Sequence, residues 1–268
     1  MKIESDGVLR GKTALVTGAS RGIGEYVAKR YAMAGAQVAV CARTLNDNEH
    51  YLPGTLTSTV NAINAAGGAA LAVQADLAVP AQREQLIDEV ERQLGGIDIL
   101  VNNAAITYFL PVSEFPRKRL DLMFEVQVHA PVHLAQRVLP RMQSQGSGWI
   151  LNISSHAALH PEPELQGRGG TVYGMCKAAL ERFTTGLAQE VYEDGIGVNV
   201  ISPGLVATPG VVHHKLINAE NRERVTPVEH MAEACLYLVQ GNPQAKTGRI
   251  DYADALVSEF GLTPQEFD

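Results

Sequence analysis

The stretch Thr17-Gly-Ala-Ser-Arg-Gly-Ile-Gly24 decides the reading of this chain. It follows a short apolar run, Thr13–Thr17, and opens a segment in which Ile23, Val27 and Tyr31 recur at helical spacing. Glycines between a strand and a helix allow a tight turn and leave backbone amides free at the helix N-terminus, where phosphate binds. A plain turn would satisfy the glycines alone. The strand before them and the helix after them make Gly18, Gly22 and Gly24 candidate residues for a dinucleotide pyrophosphate.

Outward from this turn, short apolar runs alternate with helical segments along most of the chain. Strands are expected at Gln37–Ala42, Ala70–Ala75, Ile97–Asn102, Trp149–Ser154 and Val198–Ser202, with a weaker one near Arg249–Tyr252. Leu86, Val90 and Leu94 mark one further helix, and Cys176, Leu180, Phe183, Leu187 and Val191 another. This alternation predicts an α/β fold: a doubly wound Rossmann-type domain over residues 1–268, with a central parallel sheet of about seven strands. Two loop-like stretches, Thr44–Gly54 and His156–Gly170, fall where the carboxyl ends of the strands belong, which is where such sheets bind ligands.

A second signal lies far downstream. Tyr173 and Lys177 stand at i and i+4 and so share a helix face. A free tyrosine titrates near 10, and bringing it to roughly 7 needs about 4 kcal/mol of differential interaction. A close ammonium and a cationic nicotinamide ring could supply that, which would make Tyr173 an acid–base group. At the other end of the groove, a carboxylate at the end of the second strand would accept from the ribose 2′-hydroxyl of NAD. This chain has Cys41-Ala42-Arg43 there and Arg21 inside the glycine turn. Guanidinium groups bind phosphate oxygens in a fork, so NADP is the expected cofactor, with NAD the alternative. Asp76, beside Leu77, ends the third strand near the expected adenine, and Asn102-Asn103-Ala104-Ala105 ends the fourth; either could be simple strand termination.

Taken in order, the glycine turn, Asn102-Asn-Ala, Ser155, Tyr173-x-x-x-Lys177 and Pro203-Gly204 resemble the short-chain dehydrogenase/reductase family over roughly residues 8–250. Within it, Arg43 through Leu52-Pro-Gly-Thr-Leu56 to Ala65-Ala-Gly-Gly68 looks like the hydroxysteroid-dehydrogenase-like branch. The lipid-carrier domain appended in some of that branch has no room here. The resemblance implies that Tyr173 is the acid–base residue, that Lys177 tunes it and holds the ribose, and that Ser155 rather than Ser154 binds the substrate oxygen. It also implies cofactor contacts from Gly18, Ser20, Arg21, Ile23, Asn103, Ala104, Val206 and Thr208, and assembly as a homodimer or homotetramer.

Several positions depart from the family pattern. Gln127 aligns with an asparagine that helps hold a water linked to the lysine, and Ala105 replaces a glycine. The spacing from Ser155 to Tyr173 is long, and Gly248-Arg-Ile-Asp-Tyr-Ala253 stands in place of an Asp-Gly-Gly pattern.

The implied activity is NADP(H)-dependent interconversion of a ketone and a secondary alcohol. Ile106–Leu110, the His156–Gly170 loop and the stretch from Leu205 to Asn221 are the expected pocket walls. Tyr108, Phe109, Leu159, Val211 and Val212 suit an apolar steroid, terpenoid, aromatic or acyl substrate. The alternatives are 3-oxoacyl reductase or hydroxyacyl dehydrogenase activity, or a cofactor-binding sensor or scaffold without turnover.

Composition bounds the partners. A net charge of −7 argues against nucleic acid or anionic membrane, both of which reward clustered Lys and Arg. No apolar run approaches the roughly 20 residues of a membrane helix, and the start lacks an apolar signal core. Cys41, Cys176 and Cys235 lack metal or disulfide spacing and read as small buried hydrophobes in a reducing cytoplasm. His156, His160, His213 and His214 read as loop histidines, and no metal is expected.

Overall fold

The computed structural model describes residues 1–4, 6–163 and 169–267. β1 (Thr13–Thr17) runs through the glycine turn into α1 (Gly22–Met33), followed by β2 (Gln37–Ala42), α2 (Leu56–Ala65), β3 (Ala69–Gln74), α3 (Pro80–Leu94) and β4 (Ile99–Asn102). The second half holds α4 (Arg117–Phe124), a π-helical turn over Glu125–His129, α5 (Ala130–Gln145), β5 (Gly148–Ile153), α6 (Thr171–Glu190) and β6 (Ile196–Ser202). Then come α7 (Pro209–His213), α8 (Val228–Tyr237), β7 (Ile250–Tyr252) and α9 (Ala253–Glu259). All neighbouring strands pair in parallel, giving one seven-stranded sheet in the order β3-β2-β1-β4-β5-β6-β7.

The central strands are mostly apolar because both sheet faces are covered, and the polar residues buried in them, such as Asn152 and Asn199, are hydrogen-bonded. Side chains alternate between faces with a period of two. Ala14 and Val16 of β1 therefore join Ile99 and Val101 of β4 in the layer beneath α1 and α8. Leu15 and Leu100 point the other way, into the layer beneath α3, α5 and α6. Each fully buried Leu or Ile contributes about 1.5–3 kcal/mol. The sheet and the two layers hold the carboxyl ends of β1, β4, β5 and β6 in one row, and that row positions the site.

The expected strands are present with shifted ends. β4 starts at Ile99 instead of Ile97 because the Asp98 carboxylate takes the Thr13 N–H at 2.8 Å, a bond the ladder would otherwise use. β3 and β5 begin and end one residue earlier than expected, at Ala69–Gln74 and Gly148–Ile153. No described helix is long and apolar enough to cross a membrane.

Arg30, on α1, is 6% exposed and ties this half of the fold together. Its Nε donates to Glu233 of α8 at 2.6 Å and one Nη to Glu4 at 2.9 Å. Removing one partner of a buried ion pair strands the other charge, which costs about 3–5 kcal/mol. Arg30→Met should therefore lower the unfolding free energy in urea by about 3 kcal/mol. A loss below about 1 kcal/mol would show that Glu233 rehydrates and that the pair is dispensable.

Candidate active site

The row of strand ends centres on Thr17. Its hydroxyl, 1% exposed as a residue, donates to the Val101 carbonyl at 3.1 Å. The same oxygen accepts the N–H groups of Asn103 at 3.0 Å and Ala104 at 3.1 Å. The Asn103 amide returns to the Thr17 and Gly18 carbonyls at 2.8 and 3.2 Å. The ends of β1 and β4 are thus laced together at the point where the strand order reverses, the switch point of such sheets. Gly18 has φ +66°, and a Cβ there would lie 2.8 Å from the Ala104 Cα. A Cβ at Gly24 would lie 2.4 Å from both the Asn103 Nδ2 and the Gly18 oxygen. The bare backbone and the amides opening α1 fit a pyrophosphate, so the residues present match a dinucleotide cofactor.

A groove of ≈ 720 Å³ runs from this turn. Gly18, Ser20, Arg21, Gly22 and Ile23 line it, as do Arg43, Asp76, Leu77, Asn103, Ala104, Val206 and Thr208. Gly24 is buried behind the turn. Arg43 is exposed, and its guanidinium makes no hydrogen bond or ion pair among the described residues. Arg21 has different partners from the phosphate fork expected of it. Its Nε donates to the Pro53 carbonyl, and one Nη donates to Gly54, Leu52 and the Thr44 hydroxyl. The Asp76 carboxylate accepts the Ala78 N–H at 2.9 Å, closing the turn toward α3 while still bordering the groove.

At the other end lie Ser155, Tyr173 and Lys177. The two adjacent serines are separated by their surroundings: Ser154 donates to Glu181 at 2.7 Å, whereas the Ser155 hydroxyl accepts the Ala157 N–H at 3.2 Å and lies near enough to the Tyr173 phenol to favour its ionised form. Lys177 is 3% exposed and donates to the Ile153 carbonyl at 2.8 Å. Its nitrogen lies 5.6 Å from the centre of the Tyr173 ring. Burial lowers the ammonium to about 8, against the pull of Cys176 and of the Glu181 carboxylate. The depressed phenol expected from the sequence is not found. Burial raises the Tyr173 pKa above its ordinary value, and the neighbouring Ser155 hydroxyl draws back only part of that rise.

Gln127 sits in the π turn that packs against α6. Instead of meeting Lys177, its amide nitrogen donates to the Ile106 carbonyl at 2.9 Å, and its Oε1 has no partner among the described residues. Pro131, four residues on, has no N–H to offer the Gln127 main-chain carbonyl. Gln127 thus braces the pocket wall at Ile106 through its side chain.

The pocket walls correspond in part to those expected. Tyr108, Phe109 and Val211 line the groove. Leu159 and Val212 do not: they are 54% and 60% exposed, Leu159 just past a 3₁₀ turn and Val212 on a helix of only five residues, too short for its sequence to show which side faces in. Leu122 and Val126 also line it and were missed, since their helix follows β4 behind a long connection. Part of the expected His156–Gly170 wall, residues 164–168, lies outside the described residues. His156 contacts the Pro203 carbonyl at 3.2 Å and the Tyr252 ring at 4.6 Å between centroids. Among the described residues no group of three or more His, Cys, Asp or Glu is placed to hold a metal ion.

The fit at Gly24 gives a direct test. Gly24→Ala would drive a methyl into Asn103 and the Gly18 carbonyl. It should weaken dinucleotide binding at least tenfold by fluorescence titration while the protein stays folded. Unchanged affinity would show that the turn does not hold the cofactor.

Comparison with known proteins agrees with this geometry. The family profile described as short chain dehydrogenase matches residues 12–216. A ketoacyl reductase of Nostoc sp. is 30% identical over 236 residues, covering 87% of this chain and 76% of that protein. Hydroxysteroid dehydrogenase-like protein 2 of Danio rerio is 30% identical over 266 residues, covering 99% of this chain and 62% of the relative, so the chain spans about three fifths of that protein. The crystal structure of a 3-oxoacyl (acyl-carrier-protein) reductase from Agrobacterium tumefaciens, with NADP bound, superposes with a TM-score of 0.80 at 29% identity over 94% of this chain and 96% of its own. The chain belongs to the short-chain dehydrogenase/reductase family of oxidoreductases.

Proposed function

We propose that the protein is an NADP(H)-dependent oxidoreductase that interconverts a ketone and a secondary alcohol on an apolar substrate. The observation that carries this reading is the placement of Ser155, Tyr173 and buried Lys177 together on the same groove as the glycine turn. A bound nicotinamide supplies or accepts the hydride. Ser155 donates to the substrate oxygen, where negative charge develops. Tyr173 gives its proton to that oxygen in the reductive direction and takes it back in the oxidative one. Lys177 keeps a positive charge beneath the phenol and reaches toward the ribose. Gln127 keeps the wall at Ile106 in place, so its loss should lower turnover without removing the proton donor.

Arg43 is the cation available to a 2′-phosphate, and NADP-bound structural relatives such as the Agrobacterium reductase support that cofactor. Tyr108, Phe109, Leu122, Val126 and Val211 suit a steroid, terpenoid or aromatic ketone. A 3-oxoacyl substrate is the second reading, favoured by the names of the Nostoc and Agrobacterium relatives.

NADPH oxidation against a panel of cyclic, aromatic and 3-oxoacyl ketones tests the activity, and NADPH binding without turnover would favour a sensor. On a verified ketone, Tyr173→Phe should lower kcat about 10²–10⁴-fold while NADPH still binds. Full activity would overturn the mechanism. The pH profile follows from Lys177: a lowered ammonium pKa means the charge is present below about 8 and lost above it. Reductive kcat/KM should therefore fall above a pH of about 8. A rate that climbs steadily through pH of about 9 would remove the charged lysine from the mechanism.

A further inference from the structure

The stretch Gly248-Arg-Ile-Asp-Tyr-Ala253, one of the places where the chain departs from the family pattern, is followed by a carboxylate with two partners. Asp254, in the first turn of α9, accepts the Thr226 hydroxyl at 2.5 Å on one oxygen. Its other oxygen faces Nδ1 of His230, on α8, at 2.9 Å. A hydroxyl donating to a carboxylate makes a short, strong hydrogen bond. Thr226 is 2% exposed, whereas the Asp254 side chain is 55% exposed. Water can therefore replace Thr226 at the carboxylate, but the buried hydroxyl has no such substitute. The bond fixes Thr226 more than it fixes α9.

Thr226 closes the neck of an excursion from the sheet. The chain leaves β6 at Pro203-Gly204, runs along the groove with Val206, Thr208, Val211, His214 and Leu216, and returns at Thr226. At the neck the Thr226 N–H donates to the Leu205 carbonyl at 2.9 Å, and Leu205 pairs with Val225 in an isolated bridge. A Cβ at Gly204 would lie 2.0 Å from the Thr226 Oγ1 and 3.6 Å from the Asp254 Oδ2. The bare backbone there lets hydroxyl and carboxylate close on the outgoing chain. Among the described residues, the hydrogen bonds of residues 206–224 are made within the excursion. Hydrogen bonding thus fastens it to the body at the neck. Further out, Thr208 approaches the glycine turn, since a Cβ at Gly22 would lie 3.1 Å from its Cγ2. Where Thr208 sits against that turn depends on how the neck is held.

Resting on the reading of the groove as a nicotinamide-cofactor site, we propose that Asp254 is a positioning residue: through Thr226 it fixes the neck of the 205–226 excursion, so that Val206 and Thr208 stay against the bound cofactor. His230 steadies the carboxylate from α8.

The test uses the native protein, Thr226→Val, Thr226→Ser, Asp254→Ala and the double variant Thr226→Val/Asp254→Ala. Hydrogen exchange of peptides from residues 206–224, without nucleotide, reads the neck itself, because exchange reports local opening. Stopped-flow release of NADPH reads the consequence for the cofactor. Thr226→Val and Asp254→Ala should each speed both processes about three- to tenfold, with exchange in the central strands unchanged. Thr226→Ser keeps the hydroxyl and should stay within about twofold of native. The double variant should match either single one, because both remove the same bond. Faster exchange throughout the sheet would make the effect a general loss of stability and overturn the proposal. A Thr226→Ser variant as impaired as Thr226→Val, or additive effects in the double variant, would do the same. Native-rate NADPH release in Asp254→Ala would end the role of Asp254 and leave the cofactor reading standing. Binding of neither NADPH nor NADH by the native protein would overturn both.

Discussion

The oxygen of Thr17 is the point on which the rest of the structure depends. One buried hydroxyl donates to β4 and accepts two N–H groups from the residues just beyond it. Asn103 answers with an amide on the β1 carbonyls. Without this lacing the N–H groups of Asn103 and Ala104, just beyond the β1–β4 ladder, would lose their partner at the switch point. Such groups cost about 1–3 kcal/mol each. The glycine requirement follows from the same contact. Gly18 and Gly24 lie against Asn103 and Ala104, so any side chain there would separate what Thr17 joins.

From that point the groove runs two ways, and the two ends use charge differently. At the adenine end, Arg21 is spent on loop carbonyls while Arg43 faces solvent. At the chemical end, Lys177 is buried under Tyr173 and held by the Ile153 carbonyl. Burying an ammonium is costly unless it is hydrogen-bonded and balanced, and the Glu181 carboxylate one turn along α6 supplies part of that balance. Glu181 also occupies Ser154, which leaves Ser155 as the serine beside the phenol. The chemistry of the site thus reaches one layer behind the residues that line it.

Much of this could be read from the residues in order. The apolar runs predicted every strand, because a strand covered on both faces buries nearly all of its side chains. The glycine turn and the Tyr173–Lys177 spacing predicted which ends of the sheet matter, since both are local patterns with local physical causes. The direction of the Tyr173 shift was not legible. It depends on how deeply the phenol is buried, and no spacing records that. The protein partners of Arg21 were hidden for a similar reason: they are three carbonyls of a loop some thirty residues away, brought to it only by the fold. The partner of the Gln127 side chain was not legible either, because only the π turn directs its amide at Ile106. Leu159 and Val212 looked like wall residues by chemistry alone, and in a loop or a five-residue helix chemistry does not fix orientation.

The central claim is that a nicotinamide cofactor held at the glycine turn would deliver hydride to a substrate carbonyl carbon whose oxygen is met by Ser155 and Tyr173, across a single groove. The most direct measurement follows hydrogen from cofactor to product. NADPH carrying deuterium at the transferring position of the nicotinamide is given to the protein with a ketone, and the alcohol is examined by mass spectrometry and NMR. The account predicts one deuterium, on the carbinol carbon, in one stereochemical configuration. An alcohol formed without deuterium, from either deuterated face of the cofactor, would contradict it.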